Sequence, residues 1–209
     1  MSASEPTWVV PGPLPSQSDP MASNNNVELR LHEGSMFLAF RTSETHFASP
    51  DSRLEVVRTE DGGVTWAYEA TFALGADVRE PRLLSLNGSL WLLFFEAGTE
   101  LSSFSPKYMW RSKREGPGKW SAPEKWGDAE AVPWDVKVRG GVAYMTSYVG
   151  NHYAGGEGTI AVRFDKSTDG VTWTPVQEGK RVVYTGGVSE VAFEFDANGD
   201  LWAVGRNED

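Results

Sequence analysis

The chain has 209 residues, a formal net charge of −10, no cysteine and three histidines, with 22 Gly, 12 Pro and 9 Trp. That length allows one large all-β domain or two small ones, and the absence of Cys excludes disulfide scaffolds, thiolate metal sites and thiol catalysis. The acidic balance argues against nucleic acid as a partner, and His32, His46 and His152 lack the close spacing of a metal site, so neither metal nor cofactor is expected.

Residues 1–23 form an N-terminal extension in which MSASEPTWVVPGPLPSQSDP has neither the basic start nor the apolar stretch of a signal peptide. No run of 18 apolar residues predicts a membrane span, so a cytoplasmic location is the default expectation. From Asn24 onward the chain repeats itself. NVELRLHEGSMFLAFRTS, EPRLLSLNGSLWLLFFEAG, WDVKVRGGVAYMTSYVG and EVAFEFDANGDLWAVGR each place two apolar, β-branched or aromatic runs around a glycine turn, the signature of a hairpin. The turn glycines Gly34, Gly88, Gly141 and Gly199 are 54, 53 and 58 residues apart. RLEVVRTED, KYMWRSKRE and TIAVRFDKSTD supply a third strand, and a fourth begins near Trp66, Trp120 and Trp173.

Four antiparallel strands in a unit of about 50 residues predict the blades of an all-β propeller. The expected blades span approximately 24–76, 77–130 and 131–180, with an incomplete fourth at 181–209. The third-to-fourth-strand turns carry a recurring box: TEDGGVTW at Thr59–Trp66, STDGVTW at Ser167–Trp173, and a degraded SKREGPGKW at Ser112–Trp120. Asp61 and Asp169 suit bonds from backbone N–H groups, Gly63 and Gly170 supply left-handed backbone, and Trp66 and Trp173 fill the gap beside the turn, so the boxes are expected to be structural.

Polar residues concentrate where hairpin ends meet. Seven positions after each turn glycine stand Arg41, Phe95, Tyr148 and Arg206, and the inner strands begin with Asn25 and Asn26; Asp77, Arg79 and Glu80; Trp134, Asp135 and Lys137; and Glu190. Singly, each reads as structural, Arg79–Glu80 and Asp135–Lys137 as salt-bridge networks; as a recurring set they predict an anion- or sugar-binding pocket. Arg41 and Arg206 suit a carboxylate or phosphate; Glu190, Asp77 and Asp135 suit acid–base work or sugar hydroxyls; Trp134 and Tyr148 offer flat faces to a sugar ring. The loop FRTSETHFASPDSR adds Asp51 and His46, the latter a candidate proton donor.

The boxes resemble the Asp boxes, or BNR repeats, of the sialidase superfamily, and the blade pattern extends the resemblance from Asn24 to Asp209. The resemblance implies a six-bladed propeller and a sialidase-like glycoside hydrolase. Six blades need about 300 residues or more, so the chain is expected to be the N-terminal part of a longer propeller, with the remaining blades as partners. A closed four-bladed propeller completed by WVVPG at Trp8–Gly12 is the alternative. SEVAFEFDANGDLWAVGR resembles the family segment whose Glu polarises a nucleophilic Tyr and whose Arg grips the sialic acid carboxylate, which assigns those roles to Glu190 and Arg206. Asp51 takes the place of the catalytic Asp. The family's R-I-P arginine is absent, with NNNVEL at that place. The third Arg and the Tyr are expected beyond residue 209, leaving the chain alone inactive. DVREPRL, at Asp77–Leu83, also resembles the D-x-R-D-P segment of five-bladed glycosidases. The competing functional expectation is a non-catalytic Asp-box propeller that binds a glycan or a protein.

Overall fold

A computed structural model describes residues 8–10, 12–101, 104–150 and 159–207; His152 and the ends of the chain lie outside them. The repeat builds one antiparallel sheet after another. In the first, β1 (Ser23–His32), β2 (Ser35–Ser43), β3 (Arg53–Thr59) and β4 (Ala67–Phe72) pair in chain order. The second has β5 (Val78–Leu86), β6 (Ser89–Glu96) and β7 (Tyr108–Gly116), with β8 (Lys119–Trp120) and β9 (Glu124–Trp126) both on the outer edge of β7. The third repeats this with β10 (Ala131–Arg139), β11 (Val142–Val149) and β12 (Ile160–Ser167), edged by β13 (Thr174–Pro175) and β14 (Val182–Gly186). The fourth is a hairpin of β15 (Val188–Phe195) and β16 (Leu201–Asn207). The described residues are all β, and no helix is long and apolar enough to cross a membrane.

Two expectations are corrected. The outer strand is continuous only in the first blade; Pro123 lacks the N–H for a ladder bond and divides it in the second, and the Gln177–Lys180 turn divides it in the third. Residues 182–186 therefore close the third sheet, and the fourth begins at Val188 rather than near 181.

The period-2 alternation of each second strand serves two neighbours at once. On β6, Leu90, Leu92 and Phe94 pack with Phe37, Ala39, Leu54 and Val56 of the first blade. Trp91 and Leu93 point the other way, onto Val136, Ala143 and Met145 of the third. Each such fully buried side chain contributes about 1.5–3 kcal/mol relative to exposure. Leu38, Phe40, Val57 and Trp66, on the other face of the first blade, are covered by Val9, Val10 and Leu14 of the N-terminal segment.

The inner strands β1, β5, β10 and β15 neighbour one another in order, and each is interrupted near its start. The register slips between Asn25 and Glu28, Arg79 and Arg82, Pro133 and Asp135, and Ser189 and Ala192. One extra residue per bulge re-aims a side chain out of the ladder. Asn26, Glu80 and Glu190 occupy the bulges with left-handed backbone, at φ of 48°, 50° and 54°. Such φ values in non-glycine residues store strain and concentrate at functional sites.

Candidate active site

Glu80 is the centre of the site. Its Oε2 accepts from Arg82 Nη2 at 2.9 Å and its Oε1 accepts from Asn26 Nδ2, so strands β1 and β5 meet on one carboxyl group. Burial pushes the Glu80 pKa up, and the Glu190 charge adds to the rise against the pull of Arg82 and Arg79. Glu190 stands in a different setting: Arg206 Nη1 donates to its Oε1 at 3.1 Å across the β15–β16 hairpin. Two carboxyl groups thus share the mouth, each beside an arginine, and burial drives Glu80 toward its neutral form. A carboxyl group kept toward its neutral form near a second carboxyl group suits acid–base chemistry on a glycosidic bond.

The other predicted residues divide. Arg41 is fully buried and its guanidinium is spent: Nη2 reaches Asp77 Oδ1 at 2.7 Å and the Phe47 carbonyl at 3.0 Å, while Nη1 reaches the Thr45 carbonyl at 3.3 Å. Arg79 binds the other oxygen of Asp77 and donates to the His46 carbonyl at 2.7 Å. Arg41, Arg79 and Asp77, each expected to bind ligand, are joined instead in an internal brace. It ties three successive carbonyls of the 45–47 loop to the strand that carries Glu80. His46 and Phe47 stay exposed on that loop; partial burial, then Arg79 and Arg41, lower the His46 pKa and favour neutral imidazole. Asp51 is exposed, with its backbone N–H donating to Ser49 Oγ at 3.1 Å, and is not gathered with Glu80 and Glu190 among the described contacts.

Tyr148 also departs from expectation. It is 2% exposed and packs in the core with Phe95, Met109 and Ile160, so it offers no open face to a sugar. Trp134, half-buried, lies 6.4 Å from it, and Arg82 sits 5.2 Å from the Trp134 ring while donating to the Trp134 carbonyl. Asp135 accepts from the Phe193 N–H at 2.9 Å and pairs with Lys137 at 3.3 Å, joining the third and fourth blades. Sequence reasoning missed Arg82 and Glu28. Arg82 reaches Glu80, Pro81 and Trp134; Glu28, beside Arg30, has its pKa raised by burial. The signal that could have found the site is the polar interruption NNN, REP, PWD and SEV in otherwise apolar inner strands.

The boxes close the rim turns. Asp61 receives the Thr65 hydroxyl at 2.6 Å and its N–H at 2.9 Å; Asp169 receives the N–H groups of Thr172 at 2.7 Å and Val171 at 2.8 Å. Trp66 donates to the Gly63 carbonyl at 3.2 Å and plugs the first blade; Trp173 lies tilted against Trp126, 5.8 Å between ring centres. Gly170, at φ 75°, lies so close to Trp91 that a Cβ there would meet its Nε1 at 2.9 Å. Among the described residues, no group of three His, Asp or Glu could hold a metal.

No protein-family model matches the chain, and no curated protein matches its sequence. Solved structures do resemble it. A Dyadobacter fermentans protein of unknown function shares 17% identity at a TM-score of 0.66 over 88% of this chain and 62% of its own. A family 117 glycoside hydrolase from Zobellia galactanivorans shares 13% at 0.59, over 89% of this chain and 67% of its own. A Cellvibrio cellulosa α-L-arabinanase, solved with arabinohexaose, shares 14% at 0.55, over 97% and 82%. The chain thus spans about three fifths of the length of the first of these structures and about two thirds of the second. At such identity the likeness is one of fold: an all-β array of propeller blades of the kind found in glycoside hydrolases, with nothing in it particular to the sialidase superfamily.

Proposed function

We propose that this protein is a glycoside hydrolase of the propeller type, acting on a neutral, pentose-containing glycan at the mouth formed by β1, β5 and β15. The observation that carries the reading is the pairing of Glu80 and Glu190 on equivalent left-handed bulges, each beside an arginine, with Glu80 pushed toward its neutral form by burial. Glu80, kept toward its neutral form by burial, protonates the leaving oxygen. Glu190, held by Arg206, acts as the carboxylate that activates water or stabilises positive charge at the anomeric carbon. Trp134 and the exposed Phe47 offer apolar surface to the sugar. Substrate class leans on what the similar proteins act on, among them the arabinanase and a Lactobacillus brevis α-L-arabinofuranosidase.

A sialidase is the finer version of this reading, and the burial of Arg41 speaks against it. Gripping a sialic acid carboxylate requires guanidinium groups with donors to spare. Arg41 is buried on Asp77 and Arg206 faces Glu190. A second reading, a propeller that binds a glycan without cleaving it, draws on Asn26, an amide at the bulge where the second and fourth blades carry carboxylates.

The test is release of aryl alcohol from a panel of aryl α-L-arabinofuranoside, β-D-xyloside and α-sialoside, together with arabinan oligosaccharides. Turnover of a pentoside is expected, falling at least ~100-fold in Glu80→Gln and in Glu190→Gln. Cleavage of the sialoside alone would restore the sialidase version. Saturable glycan binding without turnover establishes the binding module, and full activity in both variants removes this pair from the mechanism.

A further inference from the structure

Asn26 holds a buried side-chain oxygen, Oδ1, that has no hydrogen-bond donor, while its Nδ2 donates to Glu80 Oε1. A buried acceptor without a donor is costly and calls for an explanation. The two halves of the Asn26 amide lie at the same distance from their common carbon, and half a turn about the terminal bond exchanges donor for acceptor. The other oxygen of Glu80 has no such choice. Arg82 Nη2 holds Oε2 at 2.9 Å, and a guanidinium can only donate. Oε2 is thus best used as a pure acceptor, and a proton on Glu80 is favoured on Oε1, the atom that faces Asn26.

We propose that Asn26 positions the acidic proton of Glu80 on Oε1, its amide turning over as that proton comes and goes. The inference rests on Glu80 being the acid of the reading above. With Glu80 neutral, Oε1–H donates to Asn26 Oδ1, which gives the orphaned oxygen its donor. When the proton passes to the leaving oxygen of the glycoside, the amide turns and Nδ2–H donates to the carboxylate left behind. The O–H bond of Glu80 is the one broken on the protein side, the new O–H forms on the departing alcohol, and water later returns the proton. The charged groups that act on Glu80 from the packed elements are Arg79 and Arg82 of its own strand, Arg41 of β2 and Glu190 of β15. Asn26 is the neutral partner that can serve both states. It is also a left-handed residue on the strand next to β5, so its side chain is aimed by a bulge and not by ordinary pleating.

The test is an NMR titration of the full chain labelled with ¹³C and ¹⁵N, with Glu80 assigned through Glu80→Gln and Asn26 through Asn26→Leu. The Asn26 side-chain ¹⁵N resonance is expected to move with the same midpoint as the Glu80 carboxyl carbon. In Asn26→Asp the added like charge is expected to carry the Glu80 midpoint upward by about one pH unit or more. The basic limb of kcat should follow it, while KM stays within a few-fold of wild type. An Asn26 amide that stays flat while Glu80 titrates overturns the proposal in the wild-type chain alone, and so does a Glu80 midpoint unmoved by Asn26→Asp. Shared titration in a chain that hydrolyses none of the panel keeps the proton pairing and removes the hydrolase reading, which separates the two failures.

Discussion

The smallest unit whose chemistry decides anything here is a single carboxyl group. Asp169 is fully solvent-exposed, yet the Thr172 N–H, then the Val171 N–H and the Ser167 hydroxyl, hold its pKa down at about 2 from the usual 3.8. A carboxylate depressed by folding stabilises the fold above its unfolded pKa and loses that contribution as pH falls through the folded value. Asp169→Asn should therefore lower Tm at pH 7, with the gap to wild type closing between pH 3.8 and about 2. A pH-independent gap in thermal scans would show that shape, not charge, makes the box. Glu80 works in the opposite sense. Its pKa is raised from 4.5, so ionising it costs folding free energy as pH rises above that value. Glu80→Gln should lose activity yet hold or raise Tm at pH 7, with no difference from wild type below pH 4.5. A lower Tm at pH 7 would mean that its bonds to Asn26 and Arg82 outweigh its desolvation.

The elements show how a loop is made part of a site. Arg41 and Asp77 are both buried with no exposed side-chain surface, a costly arrangement repaid only if the donors find acceptors. Four of the five N–H groups of Arg41 are used, two on Asp77 and two on the carbonyls of Thr45 and Phe47, while Arg79 takes that of His46. Asp77→Ala leaves the Arg41 charge buried without its partner and should cost about 3–5 kcal/mol in denaturant unfolding. Arg79→Ala, at the half-open end of the brace, should cost far less, but should speed hydrogen exchange of the 45–47 amides and raise KM with little change in kcat. Equal stability losses in the two variants would show the brace to be a packing element alone. The blades themselves were legible, because a glycine turn every 53 to 58 residues and apolar runs such as Leu90–Phe95, buried on both faces, are local signals. The mouth was half legible. Glu80 and Glu190 stand out as charges in apolar strands. Counting from the turn glycines, however, runs along second strands that have no extra residue, and so hides the bulges that make Asn26, Glu80 and Glu190 equivalent. Nothing local says that Arg41 finds Asp77, 36 residues away, or that Tyr148 turns into the core; both follow from which faces of neighbouring sheets meet.

At the scale of the whole molecule the blade array has two apolar ends. Along β1, Val27, Leu29 and Leu31 are 58%, 53% and 70% exposed, while their neighbours Glu28, Arg30 and His32 turn inward. At the other end Trp202 and Val204 of β16 are 68% and 77% exposed. Alternation that puts apolar side chains outward is the reverse of what an isolated sheet in water selects, and β16 also presents an outer edge with no strand beside it among the described residues. Contiguous apolar surface of this kind drives association, against which the net charge of −10 is the opposing force. The two forces respond oppositely to salt. Raising ionic strength from about 0.1 M to 1 M shortens the screening length from about 10 Å to 3 Å, which weakens the repulsion and leaves apolar contact intact. Sedimentation velocity should therefore show the average mass of the chain rising with both protein and salt concentration. Leu29→Lys combined with Val204→Lys should hold it at the 23.0 kDa of one chain. A mass that falls with salt would mean that charge pairs hold the copies together, and a mass unchanged by the lysines would place the contact on some other face.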